Sequence, residues 1–279
     1  MATATESAIL RALQAYGLQL GESFSLDWGI AYTCPRFPQL DSANQFREII
    51  IEETEAHGFE SVGLPSVFES VEEHFAQQGL KCRRWAPAVD QPLGKLEAFL
   101  TGRGFVCEDF VVMGLRSWAD LEVAEGIRVL PARAMPKALC EILHEAYAAS
   151  EPFLRDALVA AATERLDDPQ IQGLVATLEG KPVGFGAFYE VGDIGLVTDV
   201  FVSEAYRRRG VGTALMDHIL KLARRLMMRI TCARVPADGA AAIELLRSCG
   251  MEADGRLTEF VAPPAHGLQS VGFPSVVDH

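Results

Sequence analysis

The sequence predicts an α/β (α+β) fold of two domains, each a mixed, largely antiparallel twisted sheet flanked by helices. Three observations predict it. At 279 residues the chain is long enough for two modest domains of roughly 100–150 residues each. Its second half alternates strand-like and helix-like apolar patterns, the order of a mixed sheet with helices packed on it. Two distant segments also close alike. Leu96–Phe105 followed by Phe110–Leu115, and Ala242–Met251 followed by Leu257–Val261, each read as a short helix, a Gly in a tight turn, a bulky apolar residue and a strand. Duplication of one unit accounts for the pair; chance similarity is the other account. The polar stretch Arg116–Gly126 separates the two, giving domains over 1–118 and 127–262, a linker over 119–126 and a coil tail over 263–279.

In chain order, Met1–Ala15 reads as a short amphipathic helix, because Glu6 and Arg11 stand where a signal peptide would stay apolar. Phe46–Ala56 and Val67–Gln78 read as helices. Residues 41–75 hold nine acidic side chains against the single base Arg47, which implies a solvated acidic face. Ile127–Leu130 is a strand. Met135–Ala149 and Leu154–Leu166 are helical, with Pro152 and Pro169 as punctuation. Gly173–Leu178, the Glu179-Gly180 turn and Pro182–Tyr189 form a hairpin, and Ile194–Val202 is a further strand. Thr213–Leu226 places Leu215, Ile219, Leu222 and Leu226 on one helical face, and Ile230–Ala233 returns to strand.

Composition excludes several classes. Hydrophobic residues at 49% and charged residues at 23% describe a globular chain. A net charge of −13 repels phosphate backbones and anionic lipid, so neither nucleic acid nor a membrane surface is an expected partner. Cys34, Cys82, Cys107, Cys140, Cys232 and Cys249 form no C-x-x-C pair or Cys/His cluster, so single thiols, a cytoplasmic location and no metal site are expected. There is no Gly-x-Ser-x-Gly elbow and no His-Glu-x-x-His, and the six histidines are isolated. Trp28, Trp85 and Trp118 read as core or interface anchors.

One segment departs from the acidic background. Residues 204–234 hold eight basic and two acidic side chains. Within it the strand Val197–Val202 leads through Ser203–Tyr206 into Arg207-Arg-Arg-Gly-Val-Gly212 and a helix from Thr213. A strand-to-helix turn with Gly210 and Gly212 leaves backbone N–H groups unpaired at a helix N-terminus, where they and the helix dipole favour a phosphate. Arg207, Arg208 and Arg209 add charge, and Thr213 adds a hydroxyl.

Val202, Arg207, Gly210 and Gly212, spaced Val-x-x-x-x-Arg-x-x-Gly-x-Gly, resemble the acetyl-CoA-binding motif of the GNAT superfamily of N-acetyltransferases. Ala242, Leu245, Gly250 and Met251 are similar to the motif that follows it in that superfamily, and with the hairpin before them the likeness covers about residues 127–262. The first half lacks Arg-x-x-Gly-x-Gly and resembles the degenerate N-terminal copy of tandem GNAT proteins, a domain that would shape the acceptor cleft. The resemblance implies acetyl-CoA as cosubstrate and direct transfer to the amine of a small molecule or peptide. Pantetheine would pair with the main chain of Val200 and Val202, with Phe201 between them, and the pyrophosphate would sit on the amides of Arg208, Arg209, Gly210, Val211, Gly212 and Thr213. Arg207 completes the loop. A base must take the amine proton. Asp199 is the first candidate; Glu190 and Tyr189 are the others. The position at which many relatives carry a donor Tyr is Leu246 here. Either the thiolate leaves unaided, or Tyr206, Tyr147 or a residue of the first half replaces that donor, or the protein binds acyl-CoA without efficient transfer. The acidic surface favours a cationic acceptor. Monomer and homodimer both remain open.

Overall fold

The computed structural model describes residues 3–50, 63–89 and 91–262. The expected tail over 263–279 and residues 51–56 of an expected helix lie outside them. Packing divides the chain into two compact units. Among the described residues, the first holds 20–109 with 258–262, and the second holds 3–19 with 110–257. The helix α1 (Ala4–Leu18), grouped by sequence with the first half, therefore packs in the second unit.

In the first unit β1 (Glu22–Leu26) and β2 (Gly29–Thr33) form an antiparallel hairpin, and β3 (Gln45–Ile49) adds antiparallel to β2. Helix α2 (Leu64–Gln77) leads to β4 (Arg84–Pro87), parallel to β3, and α3 (Gly94–Thr101) follows. The expected helix over Phe46–Ala56 is corrected here: its described part is β3. The cause is a β-bulge between Arg47 and Ile49, with Glu48 at φ 56°, which puts the buried Phe46 and Ile49 three residues apart and imitates a helical spacing. Phe46, Phe75, Trp85, Leu100 and Phe260 fill this unit's core. Beside it lies a buried ion network: Glu259 accepts from Arg47 Nη2 at 2.9 Å and Arg84 Nη1 at 2.5 Å, and Arg84 also meets Asp41 and Glu108. Asp41 is thus an internal partner, whereas Glu69 and Glu73 on α2 face solvent.

Both long strands β5 (Val106–Leu115) and β11 (Met251–Val261) serve the two units in turn. The end of β11 pairs with β4 through Phe260↔Trp85, and the end of β5 pairs with β10 (Ile230–Pro236) of the second unit. The sheet of the first unit thereby gains the end of β11, and that of the second the end of β5.

The second unit continues with β6 (Ile127–Pro131), α4 (Pro136–Ala146), α5 (Pro152–Arg165), β7 (Ile171–Leu178), β8 (Lys181–Val191) and β9 (Ile194–Val202). Helix α6 (Val211–Arg225) returns the chain to β10, and α7 (Ala240–Ser248) precedes β11. Strands β6 to β9 are consecutively antiparallel, and β9 and β10 are parallel. The apolar face of α6 (Leu215, Ile219, Leu222) packs with Val200, Val202 and Leu246, each such side chain contributing about 1.5–3 kcal/mol. The two helix–Gly–strand endings have matching backbones, Gly104 at φ 84° after α3 and Gly250 at φ 85° after α7. The arrangement is a mixed α/β fold, with sheets flanked by helices.

Candidate active site

The site begins with a fault in β9. On β8, Phe185 pairs with Phe201 and Ala187 with Thr198, so Asp199 and Val200 together face Gly186. Asp199 takes up the extra residue at φ 56°, a left-handed conformation that Asp adopts more readily than most residues. The parallel ladder with β10 runs from Ile194↔Ile230 to Val197↔Ala233 and ends just before this bulge. Beyond it β9 carries main-chain groups along an edge with no β10 partner.

A cleft of about 290 Å³ opens along that edge. One wall is Val200 and Val202; its floor is Arg207, Arg208 and Gly210–Thr213; Leu245, Glu244 and Ser248 of α7 form the opposite side. Gly210 caps α6 at φ 83°, and Arg208 before it stands at φ 59°. The first bond of the helix ladder runs from Ala214 N–H to Gly210 O at 3.0 Å, which leaves the N–H groups of Val211, Gly212 and Thr213 ahead of it. A Cβ on Gly212 would lie 3.1 Å from Leu245 Cδ2 and 3.9 Å from Val202 Cγ2, so a side chain there would enter the cleft. Together these features make an anion cradle of backbone donors and positive dipole. Arg207 Nε donates to Val202 O at 3.2 Å, tying the loop to the strand it follows. Arg208 and Glu244, both exposed, approach to 3.9 Å across the mouth.

Of the residues singled out by sequence, Phe201 and Arg209 of the cofactor set, and the candidate bases Asp199, Glu190 and Tyr189, do not line this cleft. Phe201 is buried elsewhere, and the Arg209 guanidinium lies 5.5 Å from the Tyr206 ring. Leu246 is fully buried in the core with α6, while Glu244, Leu245 and Ser248 are the residues that α7 turns to the cleft. The phenol in the lining is Tyr206; Tyr147 lies outside it, buried.

Asp199 is 6% exposed. Its Oδ2 accepts from Tyr16 Oη of α1 at 3.0 Å, and its Oδ1 is buried without a hydrogen bond. Burial pushes the carboxyl up; Arg165, the Tyr16 hydroxyl and Thr198 pull it back in part. The Arg165 guanidinium lies over the Tyr16 ring at 4.1 Å. The Tyr189 ring lies 5.7 Å from that of Tyr16, and burial pushes its phenol up to about 12. Tyr147, its hydroxyl buried without a partner, is also held well above the ordinary tyrosine range, first by burial and then by the Asp199 charge. Glu190 is not part of this group. It pairs with Gly195, three residues along β8 from Ala187, roughly 10 Å from the bulge.

Tyr16 and Arg165 are absent from the sequence reading. Tyr16 lies 183 residues from Asp199, and only the packing of α1 against β8, β9 and β10 joins them.

The model of the acetyltransferase (GNAT) family matches residues 137–251, which contain the bulge, the loop and α7. Over that stretch the chain is similar to the GNAT acetyltransferases. An uncharacterized N-acetyltransferase of Methanocaldococcus jannaschii is 32% identical over 85 residues, spanning 28% of this chain and 38% of that relative. Among solved structures, a GCN5-related N-acetyltransferase from Kribbella flavida superposes with a TM-score of 0.64 at 15% identity, covering 96% of this chain and 98% of the other. One from Sphaerobacter thermophilus gives 0.61 at 19% identity, covering 85% and 78%. Both likenesses are of fold. Among the described residues no group of His, Cys, Asp and Glu could hold a metal ion, and no helix is long and apolar enough to cross a membrane.

Proposed function

We propose that the GNAT-like domain transfers an acetyl group from acetyl-CoA directly to a primary amine of a small molecule or peptide. The observation that carries this reading is the coincidence of the parted β9 edge with the anion cradle at the start of α6. The fit of the cosubstrate rests on the cradle itself: unladdered N–H groups at a glycine-capped helix, and a cleft that a Gly212 side chain would invade. Acetyl-CoA brings the activated thioester. The N–H groups of Val211, Gly212 and Thr213 bind its pyrophosphate, with Arg207 and Arg208 adding charge, and the main chain of Val200 and Val202 orients the pantetheine arm. Asp199 takes the amine proton onto Oδ1, one bridging water covering the distance from this buried oxygen.

The other reading, acyl-CoA binding without transfer, drew its support from Leu246. A side chain packed into the core bears on stability and not on a donor in the cleft. We assign protonation of the departing thiolate to Tyr206, the phenol in the cleft lining.

The first unit reads as a degenerate copy. It repeats the hairpin, the antiparallel third strand, the parallel fourth and an acidic residue at a bulge, Glu48 at φ 56°. Its β3–β4 ladder continues past that bulge to Ile49↔Pro87, so these strands do not part to offer a pantetheine slot. We read the duplication as dividing the chain over 1–118 and 127–262, with the closing strands β5 and β11 exchanged.

Release of free thiol from acetyl-CoA, measured across a panel of primary amines, tests the transfer. Amine-dependent release, strongest with a cationic acceptor, is the expected result. Tight acetyl-CoA binding with no release for any amine would favour the binding-only reading.

A further inference from the structure

We infer that Tyr16, on the N-terminal helix, is a positioning residue for Asp199: its hydroxyl occupies one carboxylate oxygen and leaves the other to receive the acceptor's proton. This rests on the assignment of Asp199 as base. Three observations support it. Tyr16 Oη donates to Asp199 Oδ2 at 3.0 Å while Oδ1, equally buried, has no partner, so the carboxylate presents one defined acceptor. Helix α1 is anchored at both ends within this unit. Thr3 Oγ1 donates to Asp254 O at 2.9 Å and Glu6 Oε1 accepts from Arg256 N at 3.1 Å, while Gln19 Nε2 donates to Asp168 Oδ2 at 2.7 Å. The phenol is thus held by a fixed frame. Its ring also carries the Arg165 guanidinium at 4.1 Å, so α1 and α5 bring a donor and a cation to the same carboxylate.

The groups facing Asp199 are Tyr16 from α1, Arg165 from α5, Tyr147 just after α4, its strand neighbour Thr198, and Tyr189 from β8 beyond Tyr16. Tyr16 and Tyr147 are pushed far enough up, by burial above all, to stay protonated through any assay range, so Tyr16 remains a donor. A donor to the ionised form favours ionisation, and its loss makes the base harder to deprotonate. For Tyr16→Phe, kcat/KM at pH 6 is therefore expected to fall about tenfold, recovering at pH 9 to within about threefold of wild type. The same displacement is expected without substrates, in a ¹³C NMR titration of the Asp199 carboxyl in the full chain.

An unmoved acid limb together with an unmoved carboxyl titration would overturn the inference, and so would a loss of activity equal at every pH. The two readings separate cleanly. Should Asp199→Asn keep full turnover, the base assignment fails. Should it lose turnover while Tyr16→Phe leaves both profiles in place, only the role of Tyr16 fails.

Discussion

Asp199→Asn is expected to lower kcat about 10²–10⁴-fold while raising the thermal stability of the protein at neutral pH. The kinetic loss is that of a general base. The gain in stability follows from the same burial. Asp199 is held in an interior that disfavours its charged form more than Arg165, Tyr16 and Thr198 restore it, so its folded pKa lies above the unfolded value. Such a group contributes stability below the unfolded pKa, and that contribution is lost as pH rises through the folded pKa. At neutral pH the ionised side chain is a cost, which the neutral amide removes while still accepting from Tyr16. Asn also tolerates the φ of 56° at the bulge. A Tm rise of roughly 2–4 °C at pH 8, absent at acid pH where the native carboxyl is already protonated, is the expected signature. Unchanged kcat would remove Asp199 from the mechanism, and a lower Tm at pH 8 would contradict the reading of its burial.

The largest loss of stability is expected in the first unit. Glu259 is 1% exposed and is shared by Arg47 and Arg84, themselves 4% and 2% exposed. Glu259→Ala leaves two guanidinium groups in the interior with their common counter-charge gone. Asp41 and Glu108 still serve Arg84, but the side-chain acceptor left near Arg47 Nη1 is the uncharged Gln45. Breaking a buried pair from one side costs about 3–5 kcal/mol, because the remaining charge keeps its desolvation penalty. A fall in Tm of roughly 10 °C or more is expected by calorimetry or circular dichroism. A fall of less than about 2 °C would mean that the network is hydrated in solution.

The legible parts of the fold are those with a strong local signal. Strand β9 and helices α6 and α7 follow from long apolar patterns, and the Arg207–Gly212 turn points to an anion site through its glycines and charge. The first unit was harder to read. Strand β1 is largely exposed and carries no alternating apolar face, β4 is only four residues long, and the bulge at Glu48 disguises β3 as a helix. Of the cofactor residues expected from sequence, all but Phe201 and Arg209 line the cleft. The base side was less legible. Asp199 could be placed on the strand, but its surroundings come from α1, α5 and the end of α4. No local pattern tells Tyr16 which strand it will meet.

The claim on which the rest depends is that the cleft between β9 and α7 binds acetyl-CoA through the start of α6. Titration calorimetry on the wild type and on Gly212→Glu tests it directly. The substituted position lies in the first turn of α6, where an acidic side chain suits the helix dipole; its Cβ pushes the Leu245 methyl back by a few tenths of an ångström, and the carboxylate fills the cleft. The account predicts micromolar binding by the wild type, weakened at least about tenfold in the variant at an unchanged circular dichroism spectrum. Equal affinity in the two proteins, or no binding by the wild type, would contradict it.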